Sequence, residues 1–312
     1  MVSATGTGSL CSQRWNVMLI RPPLATPWIT TQTEKAGWLG RLLSIAREKA
    51  VDAFGLRASL AELVGELQAT ELRQESGRTG DVKPQVEVYL APLGIEFVSV
   101  PAGEFTMGSS GGMSDEQPPH RVVISEPFQM SRNQVTQGQW KALMGSNPSY
   151  FNTNESLPVE SVSWHDAQQF VARANAELND GCSYRLPTEA EWEFACRAGT
   201  EGDYAGSLQD MAWYGANSGG KTHPVGQKKP NVWGLHDMHG NLWEWVEDWY
   251  GSRYYLKSAT TDPQGPPSGT YRVIRGGAWI IGSNCCRSSH RDGRWPGNRS
   301  YYVGFRLVRS PA

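Results

Sequence analysis

The C-terminal stretch Arg275–Arg306 reads RGGAWIIGSNCCRSSHRDGRWPGNRSYYVGFR and is the most informative part of the chain. Its glycine, proline, asparagine and serine residues are frequent enough to predict irregular loop over most of its length. Its apolar side chains follow neither the alternation of a half-buried strand nor the helical period of about 3.6 residues. Large aromatic residues on such loops are either packed inward or presented to a partner.

Two kinds of position alternate along this stretch. The residues typical of a fixed framework are Arg275, Gly276, Gly277, Trp279, Cys286, Arg287, Arg291, Pro296, Arg299, Gly304, Phe305 and Arg306. Short clusters without a shared chemistry lie between them. Replaceable side chains on loops that a rigid frame holds are typical of a binding surface. The stretch therefore predicts a framework with short clusters between its members, and the rest of the chain has to show whether the clusters are packed inward or presented to a partner.

The composition indicates a loop-rich globular protein. At 312 residues, the chain is long enough for two domains, or for one large domain with an extension. Hydrophobic residues make up 39% and charged residues 19%, which is ordinary, whereas 34 glycines and 13 tryptophans stand out. The net charge of -2 gives no basis for binding nucleic acid or a membrane surface.

The cysteine content predicts a reduced, cytoplasmic protein. The five cysteines are an odd number and lack the CxxC or cysteine–histidine spacing of a metal site. The neighbouring residues Cys285 and Cys286 would form a disulfide with each other only under strain. Arg21–Pro23 ends the N-terminal apolar run before it reaches signal-peptide length, and no run approaches the roughly 18 residues of a membrane span.

Residues 1–90 are predicted to form an N-terminal extension that is partly helical. Apolar residues recur at intervals of three and four between Thr33 and Glu75. The polar segment 76–84 has the composition of a linker, and the main domain is predicted at residues 91–312. We expect the extension to pack on the main domain or to mediate self-association; an effector role is the alternative.

The main domain has an α+β pattern. Two strand-like segments, Ile95–Ser109 and Arg121–Ser131, come first and three helices follow. Capping boxes open the first and third helices: Thr136 with Gln139, and Thr188 with Glu191. The second helix carries its apolar residues on one face: Ala167, Phe170, Val171, Ala174 and Leu178. Beyond Gly199 the sequence predicts short strands and loops.

Several long motifs follow one another along this domain. In chain order they read VPAGEFTMGS, DEQPPH, LPVESVSWHDA, YRLPTEAEWEFACRAG, NVWGLHDMHGNLWEWVEDWY, and RVIRGGAW followed by GFRLV. This series, over roughly residues 92–309, resembles the formylglycine-generating-enzyme, or sulfatase-modifying-factor, family. The resemblance implies the family's fold, a loop-rich α+β variant of the C-type lectin fold around a small antiparallel sheet.

The resemblance leaves an enzyme and a binding protein open as functions. In the family's oxidase, two cysteines just after the Gly-Gly motif bind copper and perform thiol–disulfide chemistry, and soft thiolates suit Cu(I). Here the first position of that pair falls on Ile281, and only Cys286 falls near the second. This departure favours a non-enzymatic protein. An oxidase, or a related enzyme of the same fold, is the alternative.

The variable clusters resemble the target regions of diversity-generating retroelements, which mutate the adenines of a template. An AAC asparagine codon can then become any codon that ends in C. The residues reachable in this way are Ile280, Ile281, Gly282, Asn284, Cys285, His290, Asp292, Gly293, Arg294, Ser300, Tyr301 and Tyr302. Trp295 needs another adenine-containing codon. The resemblance implies that these positions bind a protein or another macromolecule; a scaffold with one fixed partner is a third alternative.

The segment GLHDMHGNLWEW resembles a calcium site of the family. Asp237, Gly240, Leu242 and Glu244 match positions that bind the ion through two side-chain oxygens and two backbone carbonyls. Hard oxygen ligands are what calcium needs. Asp237 stands where the family usually has asparagine, which keeps a ligand oxygen and adds charge. The resemblance implies a structural calcium ion that pins this loop and takes no part in chemistry.

Overall fold

The computed structural model describes residues 88–311. Except for Val88–Leu90, the predicted extension lies outside the described residues, together with its helices and its role in self-association or effector binding. The described part combines three β-sheets with four α-helices, which is the predicted α+β class.

The strands and helices of the described part are numbered here in chain order. The strands are β1 (Val88–Ala91), β2 (Ile95–Val100), β3 (Gly103–Met107), β4 (His120–Ile124), β5 (Phe128–Ser131), β6 (Cys182–Arg185), β7 (Trp243–Trp249), β8 (Arg272–Arg275), β9 (Arg291–Arg294), β10 (Val303–Phe305) and β11 (Val308–Pro311). The helices are α1 (Gln137–Met144), α2 (Trp164–Glu177), α3 (Glu189–Arg197) and α4 (Leu208–Met211). Among these described elements, no helix is both long enough and apolar enough to span a membrane.

The strands form one five-stranded, one four-stranded and one two-stranded sheet. The five-stranded sheet has the order β1-β2-β5-β11-β6 and is antiparallel throughout. The four-stranded sheet has the order β10-β7-β8-β9, in which only the β10–β7 pair is parallel. Strands β3 and β4 form the antiparallel pair. The stretch from Arg275 to Arg306 thus leaves β8, returns as β9 and ends just after β10.

Each of the two predicted N-terminal strands is divided in two at a proline. Pro101 separates β2 from β3, and Pro127 separates β4 from β5. Proline has no backbone N–H for the ladder and is excluded from the middle of a sheet. The two halves of each segment therefore join different sheets.

Both predicted capping boxes are confirmed. The Thr136 hydroxyl accepts a bond from the backbone N–H of Gln139, whose side chain accepts one in return. Thr188 and Glu191 make the same two bonds at the start of α3. The predicted apolar face of α2 is confirmed. Leu178, its C-cap, is partly buried, and the other four residues are buried: Ala167, Phe170, Val171 and Ala174. These local signals place the helices that support the C-terminal stretch.

Candidate ligand-binding surface

The framework of the stretch begins where β8 ends, at a pair of glycines. Gly276 and Gly277 have φ angles of 96° and 77°, a left-handed conformation that residues with a Cβ rarely adopt. A Cβ on Gly277 would also lie 2.6 Å from the sulfur of Cys286. The two glycines therefore let the chain turn sharply and pass close to the 3₁₀ turn at Ser283–Cys286.

Arg275 fixes the backbone of the segment that precedes β9. Its guanidinium is fully buried and forms an ion pair with Glu193 of α3. The same group donates to the carbonyl oxygens of Ser288 at 2.8 Å, Ser289 at 2.8 Å and His290 at 2.6 Å. A guanidinium carries five N–H donors in a rigid fork, so one side chain can hold a carboxylate and three carbonyls together.

Two more arginines of the stretch make buried, bidentate ion pairs. Arg291 donates to both carboxylate oxygens of Glu189, at 2.7 and 2.6 Å. Arg306 donates to both oxygens of Glu244, at 2.6 and 2.8 Å. Bidentate pairs add geometric specificity to the attraction between charges. These two pairs therefore fix the course of the chain in the middle and at the end of the stretch.

The acidic loop that contains DEQPPH is tied to the stretch through Glu116. This buried carboxylate accepts bonds from Arg287 at 2.7 and 2.6 Å and from the Ser289 hydroxyl at 2.8 Å. Burial would raise the pKa of Glu116, but the hydrogen bonds from His290, Arg287 and Ser289 outweigh burial and hold that pKa well below its ordinary value. Glu116 therefore stays charged as the partner of Arg287.

Two aromatic residues complete the framework. Phe305 of β10 packs edge-on against Trp140 and Phe170, with ring centroids 6.1 and 5.4 Å away. Trp279 is buried, and its indole N–H donates to the carbonyl of Tyr301 at 3.2 Å. Contacts of framework side chains thus position the main chain that carries the residues predicted to be variable.

Most of the predicted variable positions are accessible at least in part. Ile280, Trp295 and Tyr301 have exposed fractions of 44%, 59% and 41%, and Gly282 and Asn284 are exposed as well. The half-buried positions are Ile281, Cys285, Asp292, Gly293, Arg294, Ser300 and Tyr302. The exposed set therefore includes three large side chains that a ligand could contact.

His290 is the exception: only 7% of it is exposed, so the prediction that it points outward is wrong. Its Nδ1 lies 3.3 Å from an oxygen of Glu116, and its ring packs 5.6 Å from that of Trp243. Glu116 lies 174 positions earlier in the chain, so the local sequence carries no sign of this contact. In the folded protein His290 belongs to the framework.

Part of the stretch that was predicted as loop forms strand β9. Arg291–Arg294 pairs in antiparallel register with Arg272–Arg275, so β8 sets its backbone. The half-buried side chains of Ile281, Cys285 and Tyr302 pack against the main core. We expect these three positions to accept fewer replacements than the exposed ones, because packed interiors respond to changes in volume.

Tyr150, in the loop after α1, extends the exposed surface beyond the variable stretch. Its exposed fraction is 72%, and its ring lies 5.9 Å from that of Tyr301. Phe151 connects the same loop to the framework, with its ring 5.3 Å from that of Trp279. In the sequence, Tyr150 stands out only as half of an aromatic pair in an otherwise polar loop.

The two cysteines of the stretch differ in burial. Cys285 and Cys286 are free thiols, and Cys286 is buried. Burial raises the pKa of the Cys286 thiol to about 12, so its sulfur stays protonated at neutral pH. Ile281, which stands at the first position of the oxidase pair, supplies no sulfur.

The predicted calcium ligands surround the side-chain amide of Gln134. Its Nε2 donates to the carbonyl of Leu242 and to Glu244 at 2.9 Å each, and lies 3.5 Å from the carbonyl of Gly240. Asp237 accepts a bond from the backbone of a neighbouring loop instead. Within residues 88–311, no three His, Cys, Asp or Glu side chains form a cluster that could hold a metal ion. In this arrangement the amide nitrogen of Gln134 takes up the carbonyls of Gly240 and Leu242 and the carboxylate of Glu244, while the Oδ1 of Asp237 is buried without a hydrogen-bond partner among residues 88–311.

A family model described as "Sulfatase-modifying factor enzyme 1-like domain" matches residues 91–311. The chain belongs to this family, and its α+β fold of the formylglycine-generating-enzyme type is confirmed. Among solved structures, Treponema denticola variable protein 1 is 33% identical in sequence and superposes with a TM-score of 0.66. That match covers 72% of this chain and 99% of the other.

Two further relatives are named as enzymes. The formylglycine-generating enzyme of Streptomyces coelicolor is 30% identical, and the match covers 68% of this chain and 88% of the enzyme. Serine/threonine-protein kinase pkn1 of Chlamydia caviae is 33% identical, and the match covers 73% of this chain and 39% of the kinase. The chain thus spans well under half of the kinase. The family therefore includes members with different functions.

Proposed function

We propose that this chain is a ligand-binding protein whose exposed positions between Ile280 and Tyr302 are diversified by a retroelement. Its similarity to Treponema denticola variable protein 1 over nearly the whole of that chain supports the proposal. The exposed members of this surface are Ile280, Gly282, Asn284, Trp295 and Tyr301, together with Tyr150.

The observation that carries the proposal is the separation of two roles along one stretch. Arg275, Arg291 and Arg306 are buried and paired with carboxylates from elsewhere in the domain. Ile280 and Trp295, which lie between them in sequence, are exposed. Because buried groups hold the main chain, the exposed side chains can be exchanged without a change of fold.

The exposed side chains favour a protein as the ligand. Tryptophan and tyrosine, as at Trp295, Tyr301 and Tyr150, dominate the hot spots of protein interfaces. A tyrosine offers a large contact area with a polar hydroxyl and loses little conformational entropy when it binds. Asp292 and Arg294, whose charged groups are 3.2 Å apart and partly exposed, add polar contacts beside them.

An oxidase function has less support. The similarity to the formylglycine-generating enzyme favours it at the level of the fold. Copper chemistry of the family's kind needs two thiolates, however, and Ile281 provides none. The buried thiol of Cys286 is held in its protonated form by its surroundings.

Sequencing the genome around the coding segment tests the proposal. We expect a second, near-identical copy of the DNA for residues 275–306, and differences from the expressed copy confined to adenines of the second copy. Clones of one culture should differ at the codons of the exposed residues and agree at the codons of the framework residues. If the second copy is absent and the clones are identical, the proposal fails and a scaffold with a fixed partner is favoured.

An activity assay separates the binding protein from the enzyme. The purified full chain is incubated with Cu(I) and a cysteine peptide of the sulfatase type, with the Streptomyces coelicolor enzyme as the positive control. We expect no conversion of the cysteine to an aldehyde. Conversion by this chain above the rate of a Cys286→Ala variant would overturn the non-enzymatic reading.

A further inference from the structure

The side chain of Gln134 lies where a metal ion would be expected in this fold. Gln134 follows β5, is 1% exposed, and directs its Nε2 at the carbonyls of Gly240 and Leu242 and at the carboxylate of Glu244. Its Oε1 makes no hydrogen bond within residues 88–311. The nitrogen, with its two N–H donors, therefore sets the orientation of the amide.

The charge of Glu244 is already balanced without an ion. Its Oε1 accepts from Arg306 at 2.8 Å as well as from Gln134. Its Oε2 accepts from Arg306 at 2.6 Å and from the indole of Trp192 at 2.7 Å. One positive guanidinium thus neutralises the carboxylate of Glu244, and a divalent cation here would add two positive charges beside Arg306, with Asp237 as the remaining buried carboxylate of the predicted set.

The distances also favour an amide over a cation. Calcium takes roughly six to eight oxygen ligands at about 2.3–2.6 Å. The oxygens around the Gln134 nitrogen lie 2.9 Å or more from it, which are hydrogen-bond distances. An ion could reach them only if the amide moved away or turned its Oε1 towards the ion, since a glutamine oxygen can itself bind calcium.

We propose that Gln134 replaces the calcium ion, so that the loop from Asp237 to Glu244 is pinned by a neutral amide and needs no metal. The amide N–H groups neutralise the converging carbonyl dipoles as a cation would. The proposal requires glutamine and not glutamate at position 134. An amide donates hydrogen bonds to the surrounding oxygens, whereas an ionised carboxylate can only accept them.

Gln134→Glu tests this assignment, because it keeps the size of the side chain and turns the donor into a second carboxylate beside Glu244. The unfolding temperature of the purified full chain is measured in EGTA and in millimolar calcium chloride. We expect the wild type to be unaffected by calcium. The variant should unfold at a lower temperature in EGTA and gain roughly 5–10 °C in calcium, if the calcium concentration is about 100 times its Kd.

Gln137→Glu is the matched control. Gln137 is equally buried and its amide also donates to backbone carbonyls, those of Phe151 and Pro158, but none of the predicted calcium ligands is among its partners. This variant should lose stability and gain none from calcium. If calcium rescues both variants equally, or neither, Gln134 does not occupy the place of an ion.

Equilibrium dialysis of the wild type with radioactive calcium decides the matter if the Gln134→Glu variant does not fold. We expect less than 0.1 calcium ion bound per chain at roughly 1 mM, the concentration that extracellular modules require. Binding of one ion per chain would overturn the proposal, because the proposal assigns the place of the ion to the amide nitrogen of Gln134.

Discussion

The framework arginines and the exposed side chains of the C-terminal stretch differ in burial and in the number of bonds they make to the rest of the domain. Arg275 is fully buried and bonds to a carboxylate and three carbonyls. Trp295, twenty positions later, is the most exposed large hydrophobic residue of the stretch, at 59%. The comparison teaches that stability and recognition can be carried by different residues of a single loop region.

Arginine suits the framework role because it fixes both charge and backbone. A buried ion pair adds little net stability compared with apolar packing, but the loss of one partner is costly. Arg275, Arg291 and Arg306 therefore fix one arrangement of the chain more than they add to its stability. An exposed residue makes no such demand on the fold.

The largest effect is expected from Arg275→Ala. It would leave Glu193 buried without its partner and three carbonyls without a donor, so we expect a loss of about 3–5 kcal/mol in the free energy of unfolding. Such a loss is a large part of the roughly 5–15 kcal/mol of a typical domain. Urea unfolding and soluble yield measure it. Arg294→Ala, at a partly exposed pair, should cost less than about 1 kcal/mol. Equal losses for the two variants would contradict the distinction.

The next effect depends on pH and concerns His239, which lies beneath the stretch. Its Nδ1–H donates to the carbonyl of Cys286 at 2.8 Å, and its Nε2 accepts from the backbone of Ala205 at 3.1 Å. Burial lowers the pKa of His239 to about 4. Between this value and the ordinary pKa of about 6.5, the unfolded chain binds more protons, so stability falls as the pH falls.

His239→Gln should remove this dependence. The wild type should lose about 3 kcal/mol between pH 6.5 and pH 4 through this group alone. Urea unfolding at several pH values gives the difference between wild type and variant. His165→Gln, at an exposed histidine, is the control for the substitution itself. An unchanged pH dependence in the His239 variant would show that the buried imidazole is not the source.

A smaller effect is expected when a buried framework residue, His290, is compared with an exposed residue, Trp295. His290→Ala should cost about 1–3 kcal/mol, because it removes a buried hydrogen-bond partner of Glu116. Trp295→Ala should change the free energy of unfolding by no more than about 0.5 kcal/mol, as is usual for surface substitutions. Thermal unfolding of both variants measures the difference. If Trp295 proves the costlier of the two, the assignment of His290 to the framework is wrong.

The smallest effect per residue is expected from the joint replacement of Ile280, Asn284, Trp295 and Tyr301. Each exposed change should alter stability by no more than about 0.5 kcal/mol. The variant should therefore be soluble and unfold cooperatively, close to the wild type. Phe305→Ala, a single change in the core, is the contrast and should cost about 3–5 kcal/mol. A joint variant that unfolds while the Phe305 variant survives would reverse the comparison.

Local chemistry explains where the sequence was a reliable guide. A capping box joins groups three positions apart, so Thr136 with Gln139 could be identified from the chain itself. The apolar face of α2 has the period of its own helix. The long motifs identify the family, and with it the order of strands and helices.

Features that depend on contacts between distant segments could not be predicted from the sequence. The residues of β9 have no strand pattern, and they form a strand because β8 provides its hydrogen-bonding edge. Tyr150 joins the exposed surface through Tyr301, which belongs to another part of the chain. No local periodicity records such pairings.

The sequence by itself determined the family, the α+β class, the helix starts and the residue types of the framework, because these depend on neighbours in the chain or on whole motifs. Only the tertiary structure decided that His290 is buried and that Gln134 lies among the predicted calcium ligands. His290 meets Glu116 across 174 positions, and Gln134 meets Glu244 across 110. Burial and hydrogen-bond partners at such separations are set by how the sheets and loops pack together, and that packing appears only in the folded chain.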